Sequence, residues 1–423
     1  MLDPGFFVAG EIVIKVRKGK VEIFGAPYSK GDEILIPKHR SAPVYIVEDS
    51  EFDMNFGEGS FIAESKEPLI SQDWIQLADR LVKEENGYTV MAIGNVDTGK
   101  TGLITYLANR VLLAGKKVGI VDADTGQSDI GPPSTIGLGT IKKPIIHLSQ
   151  AELVDAFFVG NVTPAEVLDR SITGTHMMVK RAKELGFDII LMDTTGWVGD
   201  RWGRELKIMK FLTIDPDLVV FIEKERGELW HLEKSLIGYT SEICHVSAPP
   251  RIRARSREER WNIRAELFRE EFEDAREVVI SLDSVGIMYG FIGTGNPPKE
   301  GTLEVLEKIF GEDIPYTEES DDAIVFVTET RLPRSTLDSI KMLLRKREVV
   351  NVTKEDLYHL LIGLTDANGH YLGLGIILDF DPREKKLLVL TRARLDILSS
   401  IQFGHMKVNP NGEEEGKFSP WIV

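Results

Sequence analysis

Several features are scarce or missing in this chain of 423 residues, and each absence argues against a class of protein. The single cysteine, Cys244, cannot form an intramolecular disulfide and is a poor basis for a metal site, so a reducing, cytoplasmic location is expected. The sequence has no run of about 18 uncharged apolar residues, so we expect no membrane span. The first residues, MLDPGFFVAG, lack a positive region followed by an apolar one, so we expect no secretory signal.

Basic residues are outnumbered by acidic ones. The chain carries 51 Lys and Arg against 67 Asp and Glu, a formal net charge of −16. Such a charge repels polyanions at long range, which counts against a protein that coats nucleic acid non-specifically, although a local basic site is compatible with it. Hydrophobic residues make up 42%, enough for ordinary cores, and the length suggests about two to four domains.

Short runs of β-forming residues dominate the first part of the chain. EIVIKV, GKVEIFG and DEILIPK are separated by Gly, Pro and Ser, which predicts an N-terminal β domain over residues 1–70. A connecting helix is predicted over 71–84, where apolar residues fall at helical spacing behind Ser71 as a candidate N-cap.

From Tyr88 the pattern changes to longer strands that alternate with helices. YTVMAIG, KKVGIVDAD, FDIILMD and PDLVVFIE are nearly continuous in apolar residues, and a further strand, VDAFFVG, follows a loop. This predicts an α/β fold over 85–315, a mostly parallel sheet covered by helices on both faces. β patterning returns over 316–423, so the central domain is predicted to be flanked by small β domains on both sides.

The stretch GNVDTGKTG fits G-x-x-x-x-G-K-[ST], the P-loop that cradles phosphates. It follows a predicted strand and opens a predicted helix, so the central domain is predicted to be a P-loop NTPase domain. Lys100 should reach the β- and γ-phosphates, and the Thr101 hydroxyl should ligate Mg²⁺. Asp97 is less common in such a loop and either caps a turn or faces the reacting centre. The predicted nucleotide-binding residues are Gly94, Asn95, Val96, Asp97, Thr98, Gly99, Lys100, Thr101 and Gly102.

Acidic residues follow the next predicted strand in VDADTGQSD. Asp122 and Asp124 lie two residues apart, so their side chains share one face of an extended strand end. One can hold Mg²⁺ through water and the other can accept a proton from an incoming hydroxyl, although either can instead cap the turn. Gln127 can orient a nucleophile.

A second acidic segment is LMDTTGWVGDRWG. Asp193 ends an apolar strand, where a Walker B carboxylate would lie, so two strands compete for the Mg²⁺ role and the sequence does not rank them. Trp197, which comes soon after, can stack on a nucleic acid base, which is typically worth about 1–3 kcal/mol. Simple packing is the alternative for Trp197 and for Trp202.

Arginines are concentrated in PPRIRARSREERWNIRAELF. A helix is predicted near Ser256 with Glu259 as its capping-box partner. A solvated helix with Glu–Arg pairs would explain part of this run, but RIRAR contains no acid to pair with. We therefore favour a mobile lid in which Arg255 and Arg260 stabilise charge on a transferring phosphoryl group.

Four motifs in this order resemble the polynucleotide 5′-hydroxyl kinase family of RNA-cleavage and ribosomal-RNA-processing factors, archaeal members included. They are GNVDTGKT, the D-x-D-x-G-Q segment DADTGQ, the T-x-G-W clasp TTGW and the lid RSREER. FFVGNVTP, IGPPSTIGL and LLIGLTDANGHYLGLGIILDFD also resemble the family, so the likeness covers nearly the whole chain.

The resemblance implies a role for each matching residue. ATP would be the phosphate donor with Mg²⁺, Asp124 would be the base for the 5′-hydroxyl, and the N-terminal β domain would contribute to the adenine pocket. The implied catalytic residues are Lys100, Asp124, Arg255 and Arg260. The predicted metal ligands are Thr101, Asp124 and Asp193. The predicted substrate-binding residues are Gln127, Thr194, Gly196 and Trp197.

The leading hypothesis is therefore an ATP-dependent kinase that phosphorylates the 5′-hydroxyl end of RNA, with DNA as a second possible acceptor and RNA-processing proteins as partners. One alternative is a catalytically weak ATP-binding scaffold, as some family members are, although this chain keeps the residues of all four motifs. The other is a P-loop switch, which commonly has an N-K-x-D element; the sequence has none.

Overall fold

The computed structural model describes residues 5–65, 68–250, 256–290, 292–311 and 316–418. The chain divides into two compact units, Met1–Trp261 and Asn262–Val423. Among the described residues, no helix is long and apolar enough to cross a membrane.

The first unit begins with an antiparallel sheet of six strands. In strand order it runs β3-β2-β5-β1-β6, with β4 paired to β2. Residues of β2 alternate between buried and more exposed, as a sheet with one packed face requires. The strands are β1 Phe6–Ala9, β2 Ile12–Ile23, β3 Ala26–Ser29, β4 Glu33–Ile36, β5 Ser41–Phe56 and β6 Phe61–Glu64.

The same unit contains a seven-stranded sheet in the order β10-β9-β8-β11-β7-β12-β13. The strands are β7 Tyr88–Gly94, β8 Val118–Ala123, β9 Thr135–Thr140, β10 Glu152–Phe158, β11 Ile189–Thr194, β12 Leu218–Glu223 and β13 Glu242–Ser247. The five strands that are neighbours in the order β8-β11-β7-β12-β13 are parallel to one another. Strand β9 is antiparallel to both of its neighbours, β8 and β10. The carboxyl ends of β7, β8 and β11 therefore meet at one edge of the sheet.

Helices cover both faces of this sheet. The helices on this sheet are α1 Gln72–Leu81, α2 Lys100–Leu113, α3 Leu168–Glu184, α4 Arg201–Ile214 and α5 Trp230–Leu236. A further helix, α6 Arg257–Phe272, begins in the first unit and ends in the second. Alternate residues of each strand face opposite sides: Val90 packs with α1 and α2 in one apolar core, and Met91 packs with α3 and α4 in the other. The sequences of these strands are nearly continuous in apolar residues because both faces of each strand are buried.

Strand β9 is a difference from the sequence analysis, which treated its residues as part of a loop. Its sequence, TIGLGT, contains two glycines, which weaken a strand pattern. A Cβ on Gly137 would come within 1.9 Å of the Ile130 carbonyl oxygen, so glycine is required by a close backbone approach. The requirement comes from a tertiary contact, and the sequence pattern does not contain it.

The second unit contains two further sheets. One has the order β14-β21-β20-β19-β22-β15 with β23 paired to β22, and the other the order β16-β17-β18. The strands are β14 Arg276–Ser281, β15 Gly286–Met288, β16 Tyr316–Glu319, β17 Ala323–Thr328, β18 Glu348–Thr353, β19 Leu360–Thr365, β20 Tyr371–Asp381, β21 Lys386–Thr391, β22 Ser400–Val408 and β23 Glu414–Lys417. The helices are α7 Glu300–Phe310, α8 Arg334–Leu344 and α9 Lys354–Leu357.

The division between the units differs from the boundary expected after residue 315. β14 and β15 precede that boundary, yet they pair with β21 and β22. Both strands are short, with six and three residues, so their sequences do not stand out from the α/β pattern that precedes them. Their partners lie more than 100 residues further along the chain and give no local signal.

Candidate active site

The P-loop lies between β7 and α2. β7 ends at Gly94 and α2 begins at Lys100. Gly99 has φ 88°, in the left-handed region that glycine adopts without strain. The Thr98 hydroxyl donates to the Asn95 carbonyl oxygen at 2.9 Å and closes the turn. The loop therefore stands at the helix N-terminus, where a phosphate is favoured.

Lys100 lies in the floor of this loop. Its Nζ donates to the carbonyl oxygens of Gly94 at 3.1 Å and Asn95 at 2.6 Å. Burial lowers the pKa of Lys100, and the carboxylates of Asp193 and Asp124 oppose that shift. The ammonium is thus held without full solvation beside the space in which phosphates would bind.

Asp193 connects β11 to the P-loop. Its Oδ2 accepts a 2.6 Å hydrogen bond from the Thr101 hydroxyl. Burial raises the pKa of Asp193 to about 6, against the opposing effects of Lys100 and of that hydroxyl. The other oxygen, Oδ1, is buried and has no hydrogen-bond partner among the described residues.

Asp122 lies next to Asp193, since the two are register partners on β8 and β11. Its Oδ2 accepts from the backbone N–H groups of Asp129 at 2.6 Å and Ile130 at 3.1 Å, and its Oδ1 accepts from Asp124 N at 3.1 Å. Burial raises the pKa of Asp122, and the neighbouring Asp193 adds to the shift. These contacts agree with the alternative in which Asp122 caps the turn.

Asp124 lies just beyond the end of β8. Its Oδ1 accepts from the backbone N–H groups of Gly126 at 3.1 Å and Gln127 at 3.2 Å, which fixes the carboxylate. Asp124 and Gln127 both line the cavity described below. Asp124 therefore faces the P-loop with its carboxylate held in one orientation.

The segment after β11 carries the predicted clasp. The Thr194 hydroxyl donates to the Ala92 carbonyl oxygen at 2.6 Å, so this hydroxyl ties two strand ends together. A Cβ on Gly196 would lie 2.7 Å from Val96 Cα, so glycine allows the P-loop to approach. Trp197 Nε1 donates to Asp200 Oδ2 at 2.7 Å, which holds the indole at the start of α4.

Trp202 lies apart from these residues. It is 53% exposed, with the Arg201 guanidinium 5.2 Å from the ring centroid, and it does not line the cavity. The structure therefore separates the two tryptophans that the sequence treated alike.

The first turn of α6 carries Arg260. Ser256 and Glu259 form the expected capping box, with Glu259 N donating to Ser256 Oγ at 3.0 Å and Ser256 N donating to Glu259 Oε2 at 2.9 Å. Arg260 Nη2 lies 3.5 Å from Asp97 Oδ2, and its Nε is buried without a hydrogen-bond partner among the described residues. Arg255, the other predicted lid arginine, lies outside the described residues.

A cavity of about 750 Å³ joins these groups. The predicted residues that line it are Asn95, Val96, Asp97, Thr98, Gly99, Lys100, Thr101, Gly102, Asp124, Gln127, Asp193, Thr194, Gly196, Trp197 and Arg260. Gly94 is not part of the lining and acts as the end of β7. The volume falls in the range of typical ligand sites, about 300–1,000 Å³.

The same cavity is also lined by residues that the sequence analysis did not identify. Phe24, His39 and Arg40 come from the N-terminal sheet and its turns, and His147 follows β9. Arg40 forms a bidentate ion pair with Asp129, in which Nη1 lies 3.2 Å from Oδ2 and Nη2 pairs with Oδ1. Their only signal in the sequence was the expectation, from the family resemblance, that the N-terminal β domain contributes to the adenine pocket.

Comparison with known proteins identifies relatives of the P-loop domain and of the fold. The family model of the mRNA cleavage and polyadenylation factor CLP1 P-loop matches residues 94–274. The solved structure of the wild-type Clp1p–Pcf11p complex superimposes with a TM-score of 0.61 at 15% identity, covering 96% of both chains. At that identity the likeness concerns the fold.

Curated relatives match over most of the chain. The polyribonucleotide 5′-hydroxyl-kinase of Thermococcus kodakarensis is 33% identical over 82% of this chain and 95% of its own length. That of Pyrococcus furiosus is 32% identical with the same coverage, and that of Methanocaldococcus jannaschii 31% identical over 82% of this chain and 94% of its own length. The resemblance inferred from the four motifs is confirmed: the chain belongs to the family of archaeal polyribonucleotide 5′-hydroxyl-kinases, with a P-loop domain of the CLP1 type.

Proposed function

We propose that the protein transfers the γ-phosphate of ATP to the 5′-hydroxyl end of RNA. The observation that carries the proposal is that one cavity joins the P-loop to Asp124 and to Trp197. A phosphate donor site and a candidate site for a base-bearing acceptor are thus continuous, as direct transfer between two substrates requires. The names of the archaeal relatives support the same reaction.

The donor side consists of the P-loop residues 94–102 with Lys100 and Arg260. The helix N-terminus and the Lys100 ammonium would bind the triphosphate. Arg260 has a buried N–H without a partner among the described residues and lines the same cavity, so it would donate to the transferring phosphoryl group. We assign the same role to Arg255, on the family resemblance alone.

Thr101 and Asp193 fit a Mg²⁺ ion. The buried Asp193 Oδ1 is unpartnered among the described residues, and the Thr101 hydroxyl lies 2.6 Å from the other oxygen of the same carboxylate. Mg²⁺ is usually bound by one or two carboxylates together with substrate phosphates, so a larger acidic cluster is not needed. Bound there with ATP, the ion would neutralise charge on the phosphates, and Asp124 is the second carboxylate available to it.

Asp124 would act as the base. Its carboxylate accepts the proton of the 5′-hydroxyl as that oxygen forms a bond to the γ-phosphorus, and the bond from the γ-phosphorus to the β–γ bridging oxygen breaks to release ADP. The two backbone N–H groups on Oδ1 fix the carboxylate, which suits a step that depends mainly on positioning.

The acceptor side consists of Gln127, Thr194, Gly196 and Trp197. The Trp197 indole, anchored by Asp200, would stack on the first base of the RNA. Gln127 would orient the 5′-terminal nucleotide. The Thr194 hydroxyl already donates a hydrogen bond to the Ala92 carbonyl oxygen. Thr194 would therefore form part of the wall of the site, together with Gly196.

The test is to incubate the purified protein with ATP labelled on its γ-phosphate, Mg²⁺ and a 5′-hydroxyl RNA oligonucleotide. Label on the RNA supports the proposal, and a matched DNA oligonucleotide tests whether DNA is also an acceptor. ATP binding without turnover would instead indicate a scaffold. Phosphate release at a rate indifferent to RNA would indicate a P-loop switch.

Other properties belong to the same proposal. We propose a central kinase domain flanked by β domains, with the boundaries 1–70 and 71–84 as expected from the sequence. In place of 85–315 and 316–423, we propose that the kinase domain ends near residue 261, because β14 and β15 pair with β21 and β22. RNA-processing proteins are the proposed partners, in line with the Clp1p–Pcf11p complex as a structural neighbour. The cytoplasm is the proposed location because of the single cysteine.

A further inference from the structure

Two lysines of α4 are buried beneath the candidate site. Lys207 is 1% exposed and Lys210 is 0% exposed. Lys207 Nζ donates to the Thr195 carbonyl oxygen at 2.6 Å, and Lys210 Nζ lies 3.4 Å from the Ala123 carbonyl oxygen. They are three residues apart and therefore lie on the same face of the helix.

Both carbonyls belong to residues at the ends of sheet strands. Ala123 is the last residue of β8 and directly precedes Asp124. Thr195 follows the end of β11 and directly precedes Gly196 and Trp197. One lysine thus holds the strand end that carries the proposed base, and the other holds the strand end that carries the acceptor clasp.

Burial of these ammonium groups is unfavourable for folding. A buried lysine loses its hydration, which costs free energy unless hydrogen bonds and nearby opposite charges compensate for the loss. Burial lowers the pKa of both lysines, while nearby carboxylates, with Asp124 among them for each, favour the charged forms. A methionine would pack in the same space at lower free-energy cost, so folding alone does not explain the two lysines.

We propose that Lys207 and Lys210 are positioning residues for phosphoryl transfer: Lys210 fixes the strand end before Asp124, and Lys207 fixes the backbone before the Trp197 clasp. This inference rests on the proposed kinase function. It assigns different steps to two lysines of one helix, and that difference makes it testable.

The experiment compares Lys210→Met and Lys207→Met with the wild-type chain in the labelled-ATP assay. For Lys210→Met we expect kcat to fall about 10- to 100-fold while the KM for RNA changes little, because Asp124 is displaced. For Lys207→Met we expect the KM for RNA to rise about 10-fold with a smaller change in kcat, because stacking on Trp197 is weakened. The thermal midpoint of both variants should stay the same or rise.

The matched control is Lys180→Met, the same replacement on an exposed face of α3, where the lysine side chain is 67% exposed. It should leave kcat and both KM values unchanged. If the two α4 variants lose stability but keep wild-type kcat and KM values, the lysines are structural and the inference is wrong.

Hydrogen–deuterium exchange of the nucleotide-free protein gives a readout that needs no kinase activity. Lys210→Met should speed exchange in residues 124–130, and Lys207→Met in residues 195–199. Unchanged exchange in both segments would overturn the inference even if the wild-type protein is an active kinase. Conversely, a wild-type protein that does not label RNA would contradict the proposed function, while the exchange data would still decide whether the lysines hold these segments.

Discussion

The guanidinium of Arg260 lies beside the carboxylate of Asp97, with Nη2 3.5 Å from Oδ2. Asp97 has φ 55°, a left-handed conformation that few non-glycine residues other than Asp and Asn adopt readily. An acid inside a phosphate-binding loop would repel a triphosphate, and the arginine compensates that charge. In the proposed reaction, ATP and Asp97 compete for the same guanidinium.

Replacement of Asp97 by Asn should strengthen ATP binding. Asn keeps the left-handed conformation but removes both the repulsive charge and the competitor for Arg260. The two side chains are 31% and 27% exposed, so solvent screens the pair and we expect a modest decrease, about 3- to 10-fold, in the Kd for Mg²⁺–ATP. Isothermal titration calorimetry measures this directly.

The control for Asp97→Asn is the same change in an Arg260→Ala background. There the decrease in Kd should be smaller, because only the charge repulsion is relieved. Weaker ATP binding by Asp97→Asn would show that the carboxylate serves the P-loop itself and that the competition with Arg260 does not occur.

Asp124→Asn should abolish most of the transfer while ATP binding is kept. Asn retains the Oδ1 that accepts the N–H groups of Gly126 and Gln127, so the loop conformation should survive. Loss of a general base typically costs about 10²- to 10⁴-fold in rate. Single-turnover transfer to a 5′-hydroxyl RNA, with the Kd for ATP measured in parallel, checks both halves of the prediction. Near-normal transfer would mean that Asp124 is not the base.

The sequence was most informative where the chemistry is local. The P-loop, DADTGQ and TTGW each lie within a few consecutive residues at a strand end, and parallel strands bring those ends to one edge. The contribution of Arg40 was not predictable, because its partner Asp129 lies 89 residues away. No periodicity in one segment specifies such a pair.

The fold followed the same rule. Nearly continuous apolar strands correctly indicated a sheet buried on both faces. Strand β9 was missed because it contains glycines, which are required there by the close approach of Ile130. Lys207 and Lys210 were missed for a related reason. Lysines in a helix are expected at the solvent face, and here the tertiary fold turns two of them inward.

Trp197→Ala should weaken RNA binding, and Trp202→Ala should not. Of these two tryptophans, Trp197 lines the cavity, whereas Trp202 is exposed beside Arg201. Loss of one aromatic–base stack is worth about 1–3 kcal/mol, so the Kd for a 5′-hydroxyl RNA should rise about 10-fold or more for Trp197→Ala. Fluorescence anisotropy with a labelled oligonucleotide measures both variants. Equal effects of the two substitutions would place the RNA outside the cavity.

Gly196→Ala should impair ATP binding through the P-loop. The added methyl would lie 2.7 Å from the backbone N and Cα of Val96, so the loop must move. Overpacking of this kind costs about 1–3 kcal/mol, and we expect the Kd for ATP to rise about 10-fold. Gly199→Ala is the matched control, because a Cβ there meets nothing within 4 Å. If Gly196→Ala binds ATP as tightly as Gly199→Ala, the close approach does not constrain the loop.

Lys210→Met should change the pH dependence of stability. Burial lowers the pKa of Lys210 from 10.5 to about 8, against the opposing effects of Asp124 and Asp122. The folded state therefore binds fewer protons than the unfolded state between these two pH values, so the free energy of unfolding of the wild-type protein rises with pH there. Below the folded pKa the penalty for burying the charge is fully present.

At pH 7, Lys210→Met should raise the free energy of unfolding by up to about 3 kcal/mol, less the loss of the contact with Ala123. The gain should shrink as the pH rises from about 8 towards 10.5, because the wild-type lysine then becomes neutral in both states. Urea unfolding at pH 7 and pH 10 of the wild-type protein, Lys210→Met and the exposed control Lys180→Met measures the difference. A stability difference that is the same at both pH values would show that Lys210 does not titrate as a buried ammonium.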